Sequence, residues 1–227
     1  NCSILFGLDN FGQVRDFYAP FVGHSNHVSG ASGNYVHRVG VYVDGTLSWL
    51  GDGSWQSSNS CSPDTTVGCL HAVNDAIGIS ITSNDAVHNE ENMFLRTLTI
   101  TNERSEPRSV KVFFSQQFRI SESRRGDTGF FDPRVNAIIH YKGQHKFLVN
   151  ASHNDKQFTD YNIGLFGIED KEGTYHDAVD GILERNPIEH GSVDSVIGID
   201  CDLMPDGHGE IHYWVCYGRT IEEVNKL

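Results

Sequence analysis

MFLRTLTITNERSEPRSVKVFFSQQFRI, residues 93 to 120, decides the fold class. In its first run Phe94, Leu98 and Ile100 share one parity, and Thr97, Thr99 and Thr101 share the other. In the second run Val110, Val112, Phe114, Phe118 and Ile120 alternate with Lys111, Ser115, Gln117 and Arg119. Successive side chains of a strand point to opposite faces, so each run has one apolar face. Asn102, Ser105 and Pro107 lie between them, where pairing stops and the chain turns. The stretch predicts a long antiparallel hairpin at the centre of a β-sandwich, with its even-numbered side chains in the core. A hairpin is not stable alone in water, so a second sheet must cover its apolar face.

Working outward, the upstream pattern predicts strands over 3–8 and 13–18, joined by a turn at Asp9-Asn10-Phe11-Gly12. Residues 19 to 33 are too irregular for a strand and too apolar for a linker, which fits a packed surface loop. Strands over 35–43 and 46–50 meet at Asp44-Gly45, the preferred type I′ pair. Residues 51 to 66, rich in Gly, Ser and Asn, read as a second long loop, followed by strands over 67–73 and 77–83. Downstream, 121–134 reads as a polar loop, 137–141 and 146–150 pair around Lys142-Gly143, and 162–168 is a further strand. Tyr175, Ala178, Val179, Ile182 and Leu183 follow helical spacing until Asn186-Pro187 ends the run. Strands over 192–203 and 209–218 are joined through Pro205-Asp206-Gly207. Thr220 and Glu223 then form a capping box that opens a helix. Strands that arrive in succession, without alternating helices, make antiparallel sheets. The expected fold is all-β, a large two-sheet antiparallel sandwich with one short internal helix and the start of a C-terminal helix.

A chain of 227 residues holds one large all-β domain or two small ones. Thirteen Phe against two Met point to a core of rigid aromatic plates. The net charge of −13 argues against nucleic acid and against an anionic membrane surface, both of which need clustered Lys and Arg. The five cysteines are odd in number and lack CxxC spacing, which favours free thiols and a reducing compartment, with a Cys61–Cys69 bridge left open. No stretch is long and apolar enough to span a membrane, and no signal peptide is visible. These signs favour a cytoplasmic protein. A secreted one stays open, because the chain begins at Asn1 rather than at Met.

The chemistry-bearing residues form no complete constellation. His24-x-x-His27 is a close histidine pair, but the third and fourth ligands of a metal set are missing, and no cofactor is expected. Neither GxSxG nor a phosphate-cradling glycine loop is present. Cys69 and His71 share a strand face without a third orienting group. Asp127 and Asp132 flank Phe130 and Phe131, an arrangement able to bind sugar, although turn chemistry with Phe anchors is the simpler reading. Asp177 and Asp180 fall on a solvent face. Trp49, Trp55, Trp214, Tyr18, Tyr42 and Tyr213 could stack sugar rings, but most lie in strands, where an aromatic usually packs. Residue chemistry alone therefore gives a sandwich with no assignable active site.

Ordered segments carry a resemblance. DNFGQVRDFYAPFVGHSNHV (9–28), HRVGVYVDG (37–45), FLRTLTITN (94–102) and VFFSQQFRI (112–120) cover the first half. GDTGFFDP (126–133), AIIHYKG (137–143), NPIEHGSVDS (186–195) and YWVCYGRTIEEV (213–224) cover the second. Together they resemble the N-terminal domain of prokaryotic glucoamylase-type enzymes, glycoside hydrolase family 15. The resemblance implies a supersandwich over 1–218 and the start of a linker helix over 219–227. It also implies an (α/α)6 barrel beyond, which in that family carries two catalytic glutamates, the acid and base of an inverting hydrolase. No residue here matches either glutamate, so no catalytic residue is assigned. The family's glucoamylases, glucodextranases and trehalases all act on α-glucosides, and the sandwich does not separate them.

Three functions compete: a non-catalytic domain that packs on and stabilises the barrel, an independent carbohydrate-binding module, and a complete small enzyme. The first is favoured, with the barrel of the same polypeptide as partner and an α-glucan or α-glucoside as its substrate. Within the chain, residues 18 to 28 are the candidate substrate or domain-interface loop. Pro20, Phe21 and Val22 make it apolar, and Tyr18, His24, Asn26 and His27 bring groups able to bond hydroxyls. The simpler alternative has Phe21 and Val22 plugging the end of the sandwich and the histidines solvated.

Overall fold

The computed structural model describes residues 3–28, 36–123 and 125–227. Asn1, Cys2 and residues 29–35 of the Gly/Ser-rich run lie outside them. The chain opens with a two-stranded hairpin, β1 (Leu5–Leu8) and β2 (Val14–Tyr18). Its turn is held by Asp9, whose Oδ1 accepts the N–H groups of Phe11 at 2.8 Å and Gln13 at 3.0 Å. Next come β3 (Arg38–Val43) and β4 (Thr46–Trp49). Asp44 and Gly45 between them both have positive φ, 51° and 78°, as the expected type I′ turn requires. Then follow β5 (Gln56–Cys61), β6 (Gly68–Asn74), β7 (Ile79–Val87), β8 (Met93–Asn102) and β9 (Arg108–Gln117).

The second half holds β10 (Asp127–Asp132), β11 (Ala137–Lys142), β12 (His145–His153), β13 (Lys156–Gln157) and β14 (Asp160–Leu165). It continues with β15 (Ile188–Gly191), β16 (Val193–Leu203), β17 (His208–Gly218) and α1 (Ile221–Val224). One sheet runs β15-β10-β11-β12-β17-β8-β7-β6-β5, with β13 attached to β12, and the other runs β14-β16-β9-β3-β4. Pairing is antiparallel in both sheets. Their inner faces enclose one core, in which Phe94, Leu98 and Ile100 of β8 meet Val110, Val112 and Phe114 of β9. The all-β two-sheet sandwich is the fold the alternation implied.

The central hairpin is corrected. β8 and β9 do not pair. β8 pairs with β7 and β17 in the large sheet, and β9 pairs with β3 and β16 in the small one. The turn at Asn102–Pro107 is an arch that carries the chain from one sheet to the other. Both arrangements have the same parity, because alternation says which face is apolar and not which sheet a strand joins. The even-numbered side chains do point inward, but across the core at each other. β16 and β17 repeat the arrangement, so a second arch at Met204–Gly207 lies beside the first.

Asn102, fully buried, links the two arches. Its backbone N–H donates to Gly207 O at 2.9 Å, and its Nδ2 donates to Glu106 O at 2.8 Å and Met204 O at 3.1 Å. Its Oδ1 accepts from Arg104 N at 3.1 Å and Arg108 Nε at 2.9 Å. Arg108 then reaches Ile77 O at 2.7 Å, Gly78 O, and Asp44 Oδ2 at 3.1 Å. The β6–β7 and β3–β4 turns are thus tied to the same point. At the other end of the sheet interior, Arg96 and Asp85, opposite each other on β8 and β7, form a buried two-bond pair at 2.7 Å. Arg96 also donates to Gly12 O, which fixes the first hairpin against the sheet.

Three further expectations are revised. The loop over 51–66 contains β5, an edge strand that pairs only with β6 and is mostly exposed, so its polar residues carry no alternation to read. The loop over 121–134 contains β10, hydrogen-bonded on both sides by β11 and β15. The predicted internal helix is a 3-10 segment, Thr174–Asp180. Ala178 and Leu183 are buried against Phe113 and Val196 on the outer face of the small sheet, while Val179 and Ile182 are exposed. At the C-terminus Thr220 caps α1 as expected, its Oγ1 accepting from Glu223 N at 3.1 Å. Glu223 reaches back one residue further than the capping box predicts, to Arg219 N at 2.7 Å. The four described cysteines, Cys61, Cys69, Cys201 and Cys216, are free thiols. Among the described residues no helix is long and apolar enough to cross a membrane.

Candidate functional site

The end of the sandwich opposite the arches collects the candidate residues. β3 begins there at Arg38, β9 ends there at Gln117, and the 18–28 loop folds against the turn that follows β9. Asn26 is buried and fully engaged. Its Oδ1 accepts from Phe17 N at 3.1 Å and Val28 N at 3.0 Å, and its Nδ2 donates to Asp16 at 2.6 Å. Its own N–H donates to Glu122 at 3.0 Å. His27 is buried with both ring nitrogens used: Nε2 donates to Ala19 O at 3.0 Å, and Nδ1 accepts from Ser121 N at 3.0 Å. That pattern requires the neutral ring, and burial holds its pKa down at about 4. Tyr18 is half-buried and bridges in backbone pairing to Asn26. Phe21, Val22 and His24 are exposed, Phe21 at 58% and Val22 at 54%. The loop therefore divides into a buried anchor, Asn26 and His27, and an exposed tip that plugs nothing. His27, engaged at both nitrogens, cannot pair with His24 around a metal. Among the described residues no three His, Cys, Asp or Glu side chains gather as ligands would.

The core contains a serine beside a histidine, which the sequence pattern did not single out. Ser195 Oγ lies 2.8 Å from His140 Nε2 and donates to Gln116 Oε1 at 2.8 Å. Gln116 Nε2 in turn reaches Tyr213 OH at 3.4 Å, so the chain of bonds crosses from one sheet to the other. With its proton given to Gln116, the serine oxygen must accept from His140 Nε2–H. The imidazole is thus a donor here and not a base. Ser195, His140 and Gln116 are all wholly buried, so no substrate reaches them. This is a structural network that satisfies polar groups across the core, and burial lowers the His140 pKa to about 3.

The carboxylates divide in the same way. Burial raises Asp127 to about 6, against the opposing pull of Lys142 at 3.2 Å, and raises Asp194 to about 7. Both are buried inside the fold, Asp127 accepting from Ile120 N at 3.2 Å and Asp194 from Thr174 N at 2.7 Å. Asp132 is held low by Arg134 at 2.6 Å. The loop pair Asp127 and Asp132 thus stabilises local structure.

One open cleft stands out, of about 1110 Å³, between the start of β3, the end of β4 and the 167–175 segment. Trp49 and Tyr175 line it edge to face, ring centres 6.0 Å apart, and the Arg38 guanidinium lies 4.4 Å from the Tyr175 ring centre. The Trp49 indole rests on Gly40, where a Cβ would fall 2.6 Å from the ring. Arg38 donates to Gln117 Oε1 at 3.1 Å. Arg15, Arg38 and Lys171 line it together with Asp52, Glu169, Asp170 and Glu172, so its charges are mixed. Partial burial raises Asp52, but bonds from Ser54, Ser48 and Trp49 N outweigh it and hold the group ionised. Of the aromatics marked for sugar stacking, Trp55 and Tyr213 are buried, Trp214 packs on the outer face of the large sheet, and Trp49 lines the cleft.

No family model matches this chain. It is 24% identical over 191 residues to an uncharacterized glycosyl hydrolase of Methanocaldococcus jannaschii, covering 84% of this chain and 29% of that protein. The chain thus spans less than a third of that relative's length. Among solved structures it is similar to a bacterial glucoamylase crystallised with acarbose, with a TM-score of 0.77 at 12% identity, over 99% of this chain and 31% of that one. It is also similar to a polysaccharide lyase, with a TM-score of 0.58 at 12% identity, over 98% of this chain and 33% of that one. At such identities the likeness is one of fold, and the same sandwich serves a hydrolase and a lyase. The chain is thus a β-sandwich similar in fold to part of a bacterial glucoamylase and similar in sequence to part of an uncharacterized glycosyl hydrolase.

Two outcomes follow from this geometry. Asn26→Ala should destabilise the protein by about 2–3 kcal/mol, since it removes three side-chain bonds at a buried site, whereas His24→Ala should change stability by less than about 0.5 kcal/mol. Urea denaturation checks both. His140 contributes stability that is present above its unfolded pKa of 6.5 and is lost as pH falls toward its folded value of about 3. His140→Gln keeps a donor for Ser195 and should lose about 2–3 kcal/mol less stability than the parent between pH 6.5 and pH 4.

Proposed function

We propose that this chain is a non-catalytic β-sandwich domain of a larger α-glucoside hydrolase, of the glucoamylase, glucodextranase or trehalase type. The observation that carries the reading is the glucoamylase-like fold over nearly the whole chain. Inverting and retaining glycosidases alike need a carboxyl group kept protonated beside the scissile bond. Here the carboxyl groups raised toward neutrality, Asp127 and Asp194, are buried where no sugar can meet them.

The partner is an (α/α)6 barrel of the same polypeptide, and it holds the catalytic glutamates. Residues 219–227 act as the start of the connection. α1 packs Val224 against Leu148 and Cys216 on the outer face of the large sheet, and Met93, Trp214 and Leu227 extend that apolar surface. The exposed tip Phe21-Val22, beside His24, is a contact to the barrel near its sugar-binding mouth. An exposed Phe and Val next to a group that bonds hydroxyls suits a domain boundary close to a polar ligand.

Purified alone, the chain should release no glucose from maltooligosaccharides or trehalose. Glucose release that survives repurification overturns the reading. In the longer protein, Phe21→Ala combined with His24→Ala should change KM or kcat while leaving Tm unaltered. Unchanged kinetics would remove the loop from the interface.

A further inference from the structure

The cleft at Trp49, Tyr175 and Arg38 has no part in the reading above, yet its construction is specific. Trp49 has a structural role on one side only. It lies on Gly40 and joins the outer cluster with Phe113, while it stays half-exposed along the cleft. The half-exposed indole N–H of Trp49 and hydroxyl of Tyr175 make no hydrogen bond among the described residues, whereas the buried Trp55 gives its indole N–H to Ser48 Oγ at 2.8 Å. Arg38 commits one N–H to Gln117 and brings the remaining donors of its guanidinium to the same wall. Thr174 N–H, bonded to the buried Asp194, holds the segment that carries Tyr175 in place.

The ligand class follows from these groups. Two aromatic rings at right angles offer an apolar surface for the C–H faces of a pyranose, and the unpaired donors around them suit hydroxyl oxygens. The mixed charges of the walls create no field for a phosphate or a polyuronate, which would need a cationic cleft. The volume of about 1110 Å³ is open to solvent and has room for several linked sugars rather than one. We propose that this cleft binds a segment of a neutral α-glucan chain. The α-glucan identity rests on the proposed function. The cleft's preference for a neutral oligosaccharide rests on its own geometry.

Titration of the 227-residue chain with maltohexaose, followed by calorimetry and by the three tryptophan indole N–H signals in a proton–nitrogen NMR spectrum, tests the proposal. Maltohexaose should shift the Trp49 signal and leave those of Trp55 and Trp214 in place. Tyr175→Ala should weaken binding at least tenfold, and Met204→Ala, at an exposed position on the arch away from the cleft, should leave it unchanged. Absence of binding, a shift at Trp214 in place of Trp49, or binding indifferent to Tyr175→Ala would each overturn the assignment. The NMR arm needs no substitution, so it stands even where Tyr175→Ala disturbs its segment. Hydrolysis by the longer protein reports on the proposed function and this titration reports on the cleft, so either can fail while the other holds.

Discussion

The sandwich depends on the contact between Asn102 and Arg108. Two sheets that share a core need connections that cross between them, and each crossing leaves backbone groups without ladder partners. Here both crossings lie side by side, and Asn102 supplies the missing partners of each, to Glu106, Met204 and Gly207. Arg108 carries the same tie to the turns of two neighbouring hairpins through Asp44, Ile77 and Gly78. A charged side chain this deeply buried is tolerable only when its donors are used, and four of its bonds are in place. Because this end is closed by main-chain bonds, the opposite end is left to carry loops, the half-exposed cleft and the C-terminal helix.

The same economy explains the polar groups in the core. His37, His140, Gln116, Ser195 and Asp194 lie inside a fold that would be simpler if wholly apolar. Aromatic rings surround them: Phe118 lies 4.6 Å from His37 and 4.7 Å from His140, centre to centre, and Tyr213 stacks on Phe114 at 4.4 Å. Burial keeps the histidines neutral. His140, Ser195 and Gln116 form the hydrogen-bonded link between the sheets, whereas neither ring nitrogen of His37 has a hydrogen-bond partner among the described residues and Asp194 accepts from Thr174 N–H. Titratable groups with displaced pKa values often mark an active site. In this protein large displacements fall in the interior, at His37, His140 and Asp194, away from the open aromatic cleft.

Much of the fold was legible because alternation survives wherever one face is buried. β3, β8, β16 and β17 follow it, as does the apolar parity of β9, and Asp44-Gly45 announces its own turn. What was not legible has physical causes. Parity is blind to whether two successive strands pair or arch, so β8 and β9 read as a hairpin. β5 is an exposed edge with a polar sequence, and β10 has neighbours on both sides but only short apolar content, so neither shows a period. The site was legible in part. The apolar content of the loop 18–28 sets it apart from a linker, yet Asn26 and His27 give no sign in sequence that they are anchors, since a buried asparagine and a solvated one look alike there. The sequence shows Trp49 as an aromatic able to stack sugar, but its cleft neighbours Arg38 and Tyr175 stand far from it in the chain, and no spacing rule joins them.

A double-mutant cycle on the arches is the most direct measurement of this account. Asn102→Ala, Arg108→Ala and the double variant would be compared with the parent by equilibrium denaturation in urea. If the contact holds the two crossings together, the single variants should each be strongly destabilised and the double variant should lose less than their sum. The expected coupling is about 1.5 kcal/mol or more, as for a buried bond to a charged group. Additive losses, with coupling below about 0.5 kcal/mol, would mean that the arches stand independently and would contradict the account.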